Sequence, residues 1–157
     1  MKKFLIYSDK ILTSITYAAY VVLLVYVVVR FGFGKEILKA LLIPATGFAL
    51  ETFIRDRLNF ERPYERTGVP PLIPKQTKGH SFPSRHAFSV TMIAMMYVFY
   101  LPYLGIVMLC VAAFLCVVRV KGGVHFVRDV IAGAALAAGY AVIFMLVFFL
   151  DMGRRFC

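Results

Sequence analysis

The sequence contains no tryptophan, only eight acidic residues, and no pair of cysteines at a spacing that marks a metal or redox motif. Its three cysteines exclude a disulfide framework, because Cys110 and Cys116 lie inside an apolar run and Cys157 is the last residue. Cys157 also falls outside the four-residue box that prenylation requires. No repeat or low-complexity tract is present. Against the few acids stand eighteen lysines and arginines, for a net charge of +10. In a soluble chain that balance would suggest nucleic acid. Here most of the charges fall between apolar runs, so the partners indicated are membrane lipids and a phosphorylated substrate, not nucleic acid.

What the chain has in abundance is apolar surface, with 61% hydrophobic residues and a mean hydropathy of +0.81. The first run, residues 11–29, carries no charge and follows Lys2, Lys3 and Lys10. It is longer than the core of a cleaved leader and lacks a small-residue cleavage site, so a retained helix is expected. The second run, residues 37–54, holds Pro44 and Gly47, which predict a kink or looser packing. Lys39 and Glu51 lie near its ends, where long side chains reach the interface. Residues 55–82 then form the one long polar stretch, and Pro70, Pro71 and Pro74 argue against continuous helix there. Its apolar middle, residues 69–73, is expected to rest on the membrane surface.

A third helix is predicted over residues 84–101, stopped by Pro102, and a fourth over 103–118 folds back beside it. A second polar island, residues 119–129, precedes a fifth helix that runs to about residue 150. In that helix Gly133, Ala137 and Ala141 recur every four residues, as do Ala135 and Gly139, a spacing that lets helices approach closely in lipid. The expected fold is an all-α polytopic membrane bundle of about five transmembrane helices. It forms a single domain over residues 1–157, with its motif-bearing core at about 37–150. Parity adds a constraint: helices three and four go across and return, so both polar islands emerge on one membrane face.

On that face the sequence places three clusters. Arg55 and Arg62 lie seven apart, with Pro63 following; Pro83, Ser84, Arg85 and His86 open the third helix; Arg119, His125 and Asp129 make up the third. Arginine is permanently charged, and its planar fork matches phosphate oxygens two at a time. A helix start offers free N–H groups and the positive end of the dipole, so Ser84 and Arg85 suit an anion, although Ser84 also serves as an ordinary N-cap. On a helix, His125 and Asp129 would share a face, the carboxylate fixing the tautomer and turning the other ring nitrogen outward. That arrangement suits a nucleophile, with His86 supplying a proton to the leaving oxygen. A zinc site from His80, His86, His125 and Asp129 fits no familiar spacing and would face repelling arginines. His80, beside Gly79, is expected to be solvent-exposed.

These residues resemble the three motifs of the type 2 phosphatidic acid phosphatase family, the membrane relatives of vanadium haloperoxidases and bacterial acid phosphatases. The motifs are Lys-x6-Arg-Pro, Pro-Ser-Gly-His and Ser-Arg-x5-His-x3-Asp. Here they stand as Arg55-x6-Arg62-Pro63, Pro83-Ser84-Arg85-His86 and Val118-Arg119-x5-His125-x3-Asp129. The resemblance implies that His125 attacks phosphorus, Asp129 orients it, and His86 protonates the leaving group. Arg55, Arg62, Ser84, the Arg85 amide and Arg119 would hold the phosphate oxygens, with no metal and no cofactor. Three positions depart from the pattern: Arg55 replaces lysine, Arg85 replaces glycine, and Val118 replaces serine. Members usually have six helices, so five predicts either a trimmed form or an extra interfacial helix from residues 1–10.

The expected function is hydrolysis of a lipid phosphomonoester or diphosphate headgroup through a phosphohistidine. Candidate substrates are undecaprenyl diphosphate, phosphatidylglycerol phosphate, phosphatidic acid and diacylglycerol diphosphate. A lipid phosphotransferase would use the same residues, with a hydroxyl in place of water. A non-catalytic lipid-binding protein would have no need of oriented histidines beside arginines. The expected location is the cell membrane, with multiple passes. Positive charge does not orient the chain, because Arg30, Lys35, Lys39, Arg154 and Arg155 balance Lys2, Lys3 and Lys10 across it. By resemblance the active site faces outward.

Overall fold

Nothing between Lys2 and Phe31 breaks a helix, and the computed structural model forms a single helix, α1, over Lys2–Phe31. Gly32 ends it with a positive φ of 73°. Thirty residues rise about 45 Å, well beyond the ~30 Å apolar core of a bilayer. Residues 1–10 are therefore the end of α1 projecting from the membrane, and no separate interfacial helix forms. The structure describes residues 1–153, with side chains through Val147; Arg154, Arg155 and Cys157 lie outside the described residues.

The other elements are α2 (Lys35–Leu58), the one-turn α3 (Pro63–Thr67), α4 (Arg85–Tyr100), α5 (Pro102–Lys121) and α6 (Val127–Gly153). Four of the five long helices are long and apolar enough to cross a membrane by themselves. The exception, α4, has 16 residues and packs against α1, α2, α5 and α6. Its Phe88, Met92 and Met96 are the centre of the main core. Pro44 lies within α2 and does not end it.

Lipid tails are as apolar as leucine, so helices associate here mainly by close packing. Gly133 allows the tightest approach at the site. A Cβ there would lie 2.5 Å from the Ser84 carbonyl, so α6 meets the start of α4 backbone to backbone. Ala137 and Ala141 continue that face fully buried. The second small-residue series behaves differently: Ala135 and Gly139 are exposed on the opposite side of α6.

Two further expectations are corrected. Residues 72–73 do not rest on a membrane surface, since the Leu72 and Ile73 amides both donate to the Gly122 carbonyl. Ile73 is buried with Leu5, Leu12, Val118 and Val124. Glu51 does not reach toward the interface; it is fully buried beneath the polar end of the bundle. Lys39 is buried too, paired with Glu36 at 2.7 Å.

Candidate active site

The two polar islands meet through backbone as well as side chains. The Ser84 amide donates to the Asp129 carbonyl at 2.9 Å, which fixes the start of α4 on the first turn of α6. Ser81 Oγ donates to Asp129 Oδ2 at 2.5 Å, and the Phe126 amide donates to the same oxygen at 3.0 Å. Asp129 is fully buried, so these bonds hold its carboxylate in one orientation.

His125 lies before α6 and not on it, in a turn that Gly123 makes with a φ of 72°. Its Nδ1 is 3.6 Å from Asp129 Oδ2, an ion-pair distance longer than a hydrogen bond. The pairing the i, i+4 spacing suggests is thus reached through a turn and a helix start. With Nδ1 toward the carboxylate, Nε2 is the nitrogen left for chemistry. Burial lowers the His125 pKa from 6.5 to about 4; Asp129 opposes the shift, and Arg62 and Arg119 add to it. The imidazole is therefore neutral at physiological pH, as a nucleophile requires.

His86 stands in the first turn of α4, within electrostatic reach of His125, Arg119, Arg55 and Lys75. Ser84 precedes that helix fully buried, and its hydroxyl caps nothing: Oγ has no hydrogen-bond partner. A buried hydroxyl at a helix start is placed to meet an anion oxygen.

The arginines do different work. Arg62, 2% exposed, donates from Nε to Gly79 O at 3.0 Å, from Nη1 to Val124 O at 3.1 Å and from Nη2 to His80 O at 3.2 Å. Three of its five N–H groups are spent, two within the first island and one across to the second, so it fastens the site as well as charging it. Arg55 is held more loosely, with Nη1 3.4 Å from the Pro83 carbonyl and 3.8 Å from Glu51. Arg119, at the end of α5, lies 2.8 Å from Asp9 on the projecting end of α1. Arg85 opens α4; its side chain lies 3.7 Å from Glu51 and over the Phe48 ring. The His80 side chain is 43% exposed, as the sequence suggested, with Nδ1 3.2 Å from an exposed Asp56.

Sequence reasoning missed four participants. Ser81 braces Asp129, Glu51 lies between Arg55 and Arg85, and Asp9 meets Arg119. Lys75 is the fourth: burial lowers its pKa, Arg62, Arg119 and Arg55 lower it further, and Asp9 opposes them. None belongs to a spaced motif. Only Ser81 carried a signal, as a second serine two residues before Pro83. Among the described residues no three histidine, cysteine or acidic side chains gather as a metal site.

Two cavities lie between α1, α2 and α4, and His86 lines the smaller of them. One of about 60 Å³ is lined by Arg85, His86, Ser89, Tyr17 and Phe48, among others. A larger one of about 430 Å³ shares Tyr17, Phe48 and Ser89 and continues between α1, α2 and α4 along Pro44, Met92 and Ile93. A charged pocket thus adjoins an apolar slot.

The sequence matches the PAP2 superfamily over residues 15–152. Two solved structures share the fold. LpxE from Aquifex aeolicus has a TM-score of 0.67 at 25% identity, over 86% of this chain and 83% of that one. The transmembrane PAP2 type phosphatidylglycerolphosphate phosphatase from Bacillus subtilis has a TM-score of 0.63 at 23% identity, over 96% and 83%. No curated protein matches the sequence. The family match spans most of the chain and includes all three clusters, so the chain belongs to the PAP2 superfamily, as a multi-pass membrane protein of phosphatase type.

Proposed function

We propose that this protein hydrolyses a lipid phosphate or diphosphate at the membrane surface through a phosphohistidine on His125. The carrying observation is a buried, neutral histidine beside a braced carboxylate, set among arginines. In the first step His125 Nε2 bonds to phosphorus, the bond to the leaving oxygen breaks, and His86 gives that oxygen a proton. Burial and the surrounding cations lower the His86 pKa, and the bound phosphate's negative charge draws onto it the proton it gives. In the second, water attacks the phosphohistidine and passes a proton back to His86. Inorganic phosphate leaves and His125 is restored.

Arg55, Arg62, Arg119, the Ser84 hydroxyl and the Arg85 amide hold the phosphate oxygens as charge builds on them. Permanent cations supply this charge, so the reaction needs no metal. The apolar slot takes the lipid tail. The candidate substrates remain undecaprenyl diphosphate, phosphatidylglycerol phosphate, phosphatidic acid and diacylglycerol diphosphate, met at an outward-facing site. The test is phosphate release from a panel of these lipids in detergent micelles, with EDTA present and His125→Ala alongside. Release that survives EDTA and vanishes in the variant supports the reading. No release, or equal release from the variant, overturns it.

A further inference from the structure

The proposed chemistry gives the site two sides. His125 attacks from one, so the leaving group lies on the other, beside His86. The space beside His86 is the 60 Å³ cavity, and the charged side chain lining it is Arg85. Tyr17, Phe48 and Ser89 line both this cavity and the apolar slot, so the two are neighbours. A substrate laid along this path meets in turn the phosphate-holding groups, His86, Arg85 and an apolar channel.

Arg85 is arranged to meet an anion there. Fully buried Glu51 lies 3.7 Å from its Nε, and the Phe48 ring lies 5.3 Å from the guanidinium carbon. Those contacts hold one edge of the fork from behind and one face from the side. Among the described residues its side chain donates no hydrogen bond, and it is 40% exposed. A guanidinium with unspent N–H groups beside the leaving-group position is suited to phosphate oxygens, which it engages two at a time. A lipid alcohol leaving there would offer it no charge.

Resting on the phosphatase reading, we infer that Arg85 is a specificity-determining residue that binds a second phosphate next to the scissile one, which makes the preferred substrate a lipid diphosphate. The bond that breaks is then the one between the terminal phosphorus and the bridging oxygen. The electron pair stays on that oxygen, which takes the His86 proton, and the product is a lipid monophosphate held by Arg85. Glu51 is the positioning residue behind it.

Farnesyl diphosphate and farnesyl monophosphate share one tail, so their kcat/KM ratio isolates the second phosphate. The full-length protein is assayed in neutral detergent, which removes bilayer headgroups as a rival source of anion. The wild type is expected to favour the diphosphate. Arg85→Gly is expected to cut that preference roughly tenfold to a hundredfold, the usual effect of one charge-assisted contact, chiefly through KM. Arg85→Lys, which keeps the charge without the fork, is expected to restore part of it. The readout is a ratio within each variant, so a general loss of activity does not imitate the effect. Hydrolysis of both substrates with the ratio unchanged in Arg85→Gly overturns this inference and leaves the phosphatase reading standing. Hydrolysis of neither by the wild type overturns both.

Discussion

At the end of the bundle away from the histidines, Lys39 and Glu36 close an ion pair of 2.7 Å, and the Tyr100 hydroxyl donates to the same carboxylate at 3.1 Å. At the other end the charges are more numerous and less well matched. Glu51 stands 3.8 Å from Arg55 and 3.7 Å from Arg85, and His125 stands 3.6 Å from Asp129. Ser84 Oγ, Glu51 Oε1, His125 Nδ1 and Asp129 Oδ1 are buried without a hydrogen-bond partner. Burying a polar atom without a partner costs about 1–3 kcal/mol, so several together need a reason. The compact pair lies within α2, and the Tyr100 hydroxyl ties it to α4. The looser set is the one to which phosphate binding is assigned above, and substitutions should separate the two ends.

The largest separation is expected from His125→Ala, which should lower kcat by about a thousandfold or more, since it removes the nucleophile. Phosphate release at matched protein concentration checks it. Next is Ser84→Ala. Its hydroxyl bonds no protein group among the described residues, so kcat/KM should fall roughly tenfold to a hundredfold while the melting temperature stays unchanged. A fall in melting temperature with unchanged kinetics would make Ser84 an ordinary cap.

The third effect is one of pH. Burial lowers the His125 pKa from 6.5 to about 4, so the neutral form is lost only as pH falls through about 4. The acid limb of kcat/KM that His125 contributes should therefore lie near pH 4, where an exposed histidine would place it near 6.5. The smallest effect should come from the other end. Glu36→Gln is expected to lower the melting temperature by about 2–4 °C and leave kcat/KM as it was.

Much of the fold is legible in the sequence because lipid imposes a simple rule: apolar runs of sufficient length become helices. Five apolar runs gave five long helices, four of them long and apolar enough to cross by themselves, and Gly133, Ala137 and Ala141 read correctly as a packing face. Periodicity alone did not separate that face from Ala135 and Gly139, which share its spacing and point outward. In lipid, small apolar residues are tolerated on either side.

At the site, the residues in spaced motifs do come together at one end of the bundle, as parity required of their islands. Their unspaced partners could not be named in advance. Asp9 reaches Arg119 only because α1 outruns the membrane, and Glu51 is buried only because α2 turns that face toward Arg55 and Arg85. Both facts depend on helix rotation and length, which single-residue patterns carry weakly. His125 gave a third lesson. The i, i+4 spacing predicted its partner correctly and its local structure wrongly, because a turn and a helix start can bring the same two side chains together.

The central claim is that His125 carries the phosphoryl group during turnover. The most direct test is rapid acid-free quenching of the protein with its best lipid substrate, followed by mass spectrometry of the peptide that contains His125. The account predicts one phosphoryl group on that histidine, stable to alkali, lost in acid, and absent from His125→Ala. Turnover with no phosphoryl group on the protein, or with one on another residue, would contradict it.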